Sequence, residues 1–118
     1  MAIEPADIDF ALAADALSKI ARFDGNTRGE FAWSVAQHSV KVSIFCDWGV
    51  ASAVGRLHDL HEWLIGDITR PVQALIGDLA GYHKACEAID RAVAEAAGIA
   101  WDDWQSVRDH VKHVDDRA

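Results

Sequence analysis

The sequence predicts an all-α protein, a compact bundle of five to six helices that forms a single domain over residues 1–118. Apolar residues recur three and four positions apart along almost the whole chain, which is the spacing of amphipathic helices. The alternation of apolar and polar residues that is typical of strands is absent from the sequence. A chain of 118 residues, of which 51% are hydrophobic, suits one domain with a real core.

The first two helices are separated by a polar loop. The first helix is expected at about 7–21, before a stretch that contains two glycines and an asparagine. Ser34 and Gln37 stand three residues apart, a capping-box pattern that predicts the start of the second helix. Gly49 is expected to end this helix, and His38 falls on its apolar side.

The remaining helices are predicted from their apolar periodicity and from the residues that begin or end them. They are expected at about 50–65, in a short segment that starts at Pro71, at 82–97, and from Asp102 toward the end of the chain. Pro71 suits the first turn of a helix, and Gly66 and Gly98 suit the residue after a helix.

The charge and the cysteines limit the classes of function. A formal net charge of −8 argues against a general nucleic-acid or anionic-membrane surface, but it allows a small phosphorylated substrate held by a metal and one or two arginines. No secretion signal and no uncharged apolar run of ~18 residues is visible, so the expected location is the cytoplasm. Cys46 and Cys86 are expected to be buried thiols rather than a disulfide.

The segment GRLHDLHEWLIGD, residues 55–67, places charged groups in an otherwise apolar helical pattern. Burying such groups is costly unless something compensates their charge. On a helix, His58, His61 and Glu62 would lie near one another, with Asp59 offset by about 100°. Because imidazoles and carboxylates are common ligands of divalent transition metals, the segment is a candidate for one side of a metal site.

Further ligands would have to come from other helices. His38 is the best candidate for a third ligand, and Asp115 or Asp116 is a candidate for the fourth. A histidine on an apolar face is also typical of a hydrogen-bonded core residue, and a His-Asp pair arises often by chance. Buried carboxylates without a cation, however, would repel one another and raise their pKa values, and a bound metal would remove that cost.

Three segments together resemble the HD-domain metal-dependent phosphohydrolases: IARFDGNTRGEFAWSVAQHSVKVS, LHDLHEWLIGDITRPVQ and VKHVDDRA. The resemblance is to the branch that contains 5′-deoxynucleotidases and phage-type relatives acting on deoxynucleotides, and it runs from about Arg22 to the last residue. The resemblance implies one bound divalent metal ion, whose identity is one of Zn, Mn, Co, Fe, Ni and Mg. The ligands it implies are His38, His58, Asp59 and Asp115.

The resemblance also implies catalytic and substrate-binding residues. Glu62 is expected to exchange a proton with the attacking water or the leaving oxygen, and Asp67 to orient that water. Arg22 is expected to neutralise phosphate charge, and Phe23 or Trp33 to pack against the base or the sugar. As ordinary structural residues, Arg22 would instead lie at a helix C terminus and the two aromatic residues in the core.

The expected activity is that of a cytoplasmic 5′-deoxynucleotidase, which releases phosphate from deoxynucleoside monophosphates by attack of a water activated by the metal. The scarcity of basic residues near the motif favours this small substrate over a deoxynucleoside triphosphate, which is the second expectation. A third is a non-catalytic helical binding module, since family members continue with a further helix where this chain stops at Ala118. The expected partner is a nucleotide, with neither nucleic acid nor membrane, and a homo-oligomer is left open.

Overall fold

The computed structural model of the protein describes residues 3–21, 34–46, 49–66, 68 and 70–117. A 3₁₀ turn at Pro5–Asp7 precedes the helices, which are α1 (Phe10–Lys19), α2 (Val35–Phe45), α3 (Gly49–Leu57), α4 (Glu62–Ile65), α5 (Arg70–Ile76), α6 (Ala80–Ala96) and α7 (Trp101–Arg117). No strand occurs in these described ranges. The predicted all-α bundle is therefore confirmed.

The start of α2 is fixed by the predicted capping box. The Ser34 hydroxyl accepts a hydrogen bond from the Gln37 amide at 3.1 Å, and the Gln37 side-chain oxygen accepts one from the Ser34 amide at 2.9 Å. These two bonds satisfy amides that have no partner within the helix. The prediction for Gly49 was wrong, because α2 ends at Phe45 and Gly49 begins α3 with a φ of +70°.

The centre of the bundle is formed by α2, α3 and α7, with α3 packed against both of the others. Its core is built mainly from small aliphatic side chains with one large aromatic ring, which belong to Val35, Val42, Val54, Val93, Trp104 and Val111. Complete burial of each such aliphatic side chain contributes about 1.5–3 kcal/mol to stability. This packing fixes the relative positions of the three segments from which the candidate site is built.

The predicted helix at 50–65 is interrupted. Residues 58–61 form a turn between α3 and α4, in which the Leu60 amide donates to the Leu57 carbonyl at 3.1 Å and the Glu62 amide to the Asp59 carbonyl at 3.0 Å. Such i→i−3 bonds are tighter than those of an α-helix. The His58 ring also donates to the Gly55 carbonyl at 2.6 Å, and this carbonyl would accept the Asp59 amide if the α-helix continued.

Two further features of the described residues are the hydrophobicity of the helices and the state of the two cysteines. No helix among them is both long and apolar enough to cross a membrane. The two cysteines do not form a disulfide, as expected, and Cys46 is buried. The expectation of burial was wrong for Cys86, which is only half-buried because it lines a surface cavity beside α6 rather than the core.

Gly55 allows α3 to approach α2 closely. A Cβ atom added at this position would lie 3.2 Å from the Ser43 Cα and 3.2 Å from the Cys46 Sγ. One of these neighbours belongs to the backbone and cannot rotate away. The Ser52 hydroxyl donates to the Ser43 carbonyl at 2.9 Å and joins the same two helices.

We expect Gly55→Ala to lower the free energy of unfolding by about 1–3 kcal/mol, because the added methyl group overpacks the α2–α3 contact. Chemical denaturation measures this change. The matched control is Gly81→Ala in α6, where a Cβ atom would meet nothing within 4 Å. The control should be neutral or stabilising by up to about 1 kcal/mol, because alanine favours helices. Equal stability of Gly55→Ala and wild type would contradict the close packing.

Candidate metal centre

Four side chains from three separate segments meet at one point in the centre of the bundle. His38 comes from α2, His58 and Asp59 from the turn that follows α3, and Asp115 from the last turns of α7. Each offers one ligand atom, and these atoms all lie within 4.8 Å of one another. The four residues that the family resemblance implies as metal ligands are thus brought together.

Each imidazole of the cluster faces both carboxylates. The His38 Nε2 is hydrogen-bonded to the Asp115 Oδ1 and lies 3.8 Å from the Asp59 Oδ2. The His58 Nε2 lies 3.1 Å from the same Asp59 oxygen and 3.4 Å from the same Asp115 oxygen. Two nitrogen atoms and two oxygen atoms therefore surround one small volume.

The hydrogen bond of His58 to the backbone determines which of its ring nitrogens faces this volume. A carbonyl oxygen only accepts, so the 2.6 Å contact with the Gly55 carbonyl requires a proton on Nδ1. In a neutral ring the lone pair is then on Nε2, which is buried and makes no well-formed hydrogen bond within the described residues. A lone pair directed at two carboxylates is unfavourable unless a proton or a metal ion lies between them.

The pKa values of the cluster follow from this geometry. Burial by itself would lower the pKa of His58, but Asp59 and Asp115 raise it well above its ordinary value. Burial would raise the pKa of Asp115, but the hydrogen bond from His38 and the positive charges of the two imidazoles hold it well below the ordinary range. The pKa of Asp59 is lowered in the same way, against the effect of burial, by the charge of His58. Both carboxylates are therefore ionised and attract a cation.

The cluster can hold a metal ion. Two imidazole nitrogens with two carboxylate oxygens form a ligand set that suits divalent transition metals. The side chain of His38 is only 4% exposed, whereas Asp59 and Asp115 keep 21% and 24% of their side-chain surface accessible. A cavity of about 200 Å³ reaches His58 and Asp115. The site is thus buried on one side and open to a small ligand on the other.

A second group of side chains adjoins the first. Ligand atoms of Asp59, His61 and Glu62 also lie within 4.8 Å of one another. His61 is half-buried, and its Nδ1 lies 3.2 Å from an oxygen of Asp90 on α6. Glu62 is half-buried at the start of α4. The turn that interrupts the helix therefore places the Glu62 carboxylate next to Asp59, but Glu62 is not part of the group of four candidate metal ligands.

The structure distinguishes between two ligand candidates that the sequence spacing left open. Asp115 faces the cluster, whereas its neighbour Asp116 is exposed. Four other residues that were predicted for the site lie outside the described residues: Arg22, Phe23, Trp33 and Asp67. Their expected roles at the site stay predictions.

Sequence analysis did not identify three residues that border the site. Asp90 on α6 and the basic residues Arg108 and Lys112 on α7 line the cavity beside His58 and Asp115. One signal in the sequence could have found Arg108, because it lies seven residues before Asp115, which is two helical turns on the same face.

Comparison with known proteins identifies a relative but no function. No family model matches the chain. An uncharacterized protein of Rhodobacter capsulatus is 36% identical over 104 residues, an alignment that covers 80% of this chain and 50% of the relative. The chain spans about half the length of that relative.

Proposed function

We propose that the protein is a metal-dependent phosphohydrolase that acts on deoxynucleotides. The observation that carries this proposal is the close approach of two imidazoles and two half-buried, ionised carboxylates, with the His58 Nε2 directed at both acids. One divalent ion bound there would balance the charge of the cluster. The resemblance of three sequence segments to the HD-domain phosphohydrolases supplies the reaction and the substrate class.

A divalent metal held by these four side chains would lower the pKa of a water molecule and polarise a phosphoryl oxygen. The protein then has to move a proton. Glu62 suits this task, since its carboxylate lies within 4.8 Å of a ligand atom of Asp59 and is half-buried. It accepts the proton of the attacking water as the new P–O bond forms, and it returns the proton to the 5′ oxygen as the old P–O bond breaks. The products are inorganic phosphate and a deoxynucleoside.

The family resemblance makes deoxynucleoside monophosphates the first proposed substrate, with phosphate bound by Arg22, the nucleoside packed on Phe23 or Trp33, and the water oriented by Asp67. A deoxynucleoside triphosphohydrolase is the second candidate. It is favoured by the two basic residues of α7 that line the cavity, which the sequence analysis had not placed near the motif.

We expect the purified protein to bind about one divalent metal ion per chain when it is incubated with Zn²⁺ or Mn²⁺ and desalted. His58→Ala should lose most of this metal, because it removes one ligand and the lone pair that faces the acids. The measurement is elemental analysis. His110→Ala is the matched control, because this histidine is exposed on α7. Equal metal content in His58→Ala and wild type would contradict the ligand assignment.

We expect Glu62→Gln to retain the metal and the fold but to lose about 10²–10⁴-fold in turnover, the usual contribution of a general acid or base. The assay measures phosphate or triphosphate release from deoxynucleoside mono-, di- and triphosphates. Glu95→Gln is the control, because Glu95 is exposed on α6.

Two outcomes of this assay would contradict the proposal in different ways. If Glu62→Gln is as fast as wild type, another group moves the proton. If wild-type protein binds metal but hydrolyses no nucleotide, the third expectation, a binding module without catalysis, is favoured instead.

A further inference from the structure

A groove leads away from the candidate metal centre between α6 and α7. Its inner part is the cavity of about 200 Å³ that His58 and Asp115 border. Its outer part is a second cavity of about 390 Å³, and both parts are lined by Asp90 and Arg108. The two cavities therefore adjoin each other at Asp90 and Arg108, and together they are called the α6–α7 groove.

Three basic side chains line the α6–α7 groove. Lys112 and Arg108 come from α7, and Lys84 comes from α6. Lys112 precedes Asp115 by three residues and Arg108 precedes it by seven, which corresponds to about 4.5 Å and 10.5 Å along the helix axis. The positive groups are therefore arranged at increasing distance from the metal centre.

Arg108 is positioned by an aromatic pair. Its guanidinium carbon lies 5.2 Å from the centre of the Trp101 ring, and this ring stacks on the buried Trp104 at 6.1 Å. A cation at this distance from an indole face is attracted to it. Within the described part of the chain, Arg108, Lys112 and Lys84 form no ion pair.

Within the described residues, two of the three acidic groups of the α6–α7 groove have ion-pair or hydrogen-bond partners, and one has none. Asp90 lies 3.2 Å from the His61 ring, and Asp115 is hydrogen-bonded to His38. The exception is Glu87, which is exposed at the outer end. Three cations thus face a space in which two of the three carboxylates are already engaged, so the groove favours an anionic ligand.

We propose that the α6–α7 groove is a binding subsite for a second phosphate group of the ligand, beyond the phosphate held at the metal centre. This inference rests on the proposed function, because it takes the metal centre as the place of the first phosphate. Lys112 is close enough along α7 to serve the first phosphate, whereas Arg108 is a full turn further away and serves the next. The planar fork of an arginine suits phosphate oxygens, and the contact with Trp101 orders it beforehand.

The test is calorimetric titration of the metal-loaded protein with inorganic pyrophosphate and, separately, with inorganic phosphate. Arg108→Gln should weaken pyrophosphate binding by about tenfold, the loss expected from one charge-assisted hydrogen bond, and should change phosphate binding much less. Lys112→Gln should weaken the binding of both anions. Lys19→Gln is the control, because Lys19 is exposed on α1 and is paired with Asp15 at 2.9 Å.

The outcomes separate this inference from the proposed reaction. Pyrophosphate binding that is as tight in Arg108→Gln and Lys112→Gln as in Lys19→Gln would overturn the subsite, even if the protein hydrolyses nucleotides. Selective loss of pyrophosphate binding in Arg108→Gln would support it, even if no nucleotide were hydrolysed and the proposed reaction were wrong. Both variants replace exposed side chains, so they are expected to fold as the wild type does.

Discussion

Much of the structure depends on two carboxylates that are partly withdrawn from water and held against two imidazoles. Asp59 and Asp115 repel each other, and burial disfavours their charged forms, yet the neighbouring histidines keep both ionised. A buried charged group is tolerated only if it is paired and hydrogen-bonded. Three helical segments have to meet within a few ångströms to provide that pairing, so the packing of α2, α3 and α7 and the chemistry of the cluster depend on each other.

The backbone around the cluster is adapted to this requirement. In a continuous α-helix His58 and Asp59 would point about 100° apart, and both could reach one ion only if it lay at the side of the helix between the two directions. The turn at 58–61 ends α3 and lets both side chains face the same point. Gly55 contributes twice, because its missing side chain admits α2 and its carbonyl accepts the proton of the His58 ring. A substitution there would therefore disturb packing and ligand orientation together.

The features that sequence could predict are those determined locally. The Ser34–Gln37 capping box, the helix that carries His38 and the glycine after α6 follow from patterns of a few residues, and the structure has them close to the expected positions. The interruption of α3 was missed because a histidine side chain, rather than the helix propensity of the segment, ends the helix. Spacing alone did not choose between Asp115 and Asp116, since adjacent residues at a helix end differ only in the direction of their side chains.

The features that sequence could not predict depend on tertiary packing. Lys84 lies on α6 and Arg108 on α7, and the two residues line the same groove only because α6 packs against α7. Counting basic residues near the His-Asp motif therefore underestimated the positive charge at the site. Tertiary packing also brings Asp90 to the site. This residue is 29 positions from His61 in the sequence, yet its carboxylate lies 3.2 Å from the His61 ring.

Anomalous X-ray diffraction from crystals of the Zn²⁺-loaded protein, recorded above and below the zinc absorption edge, would show whether a divalent metal ion compensates the charges of Asp59 and Asp115. We expect one strong anomalous peak at about 2.0–2.2 Å from nitrogen atoms of His38 and His58 and oxygen atoms of Asp59 and Asp115. A well-ordered cluster with no peak at that point, in crystals that bind zinc only at surface residues, would show instead that protons on the imidazoles, and no metal ion, balance the two acids.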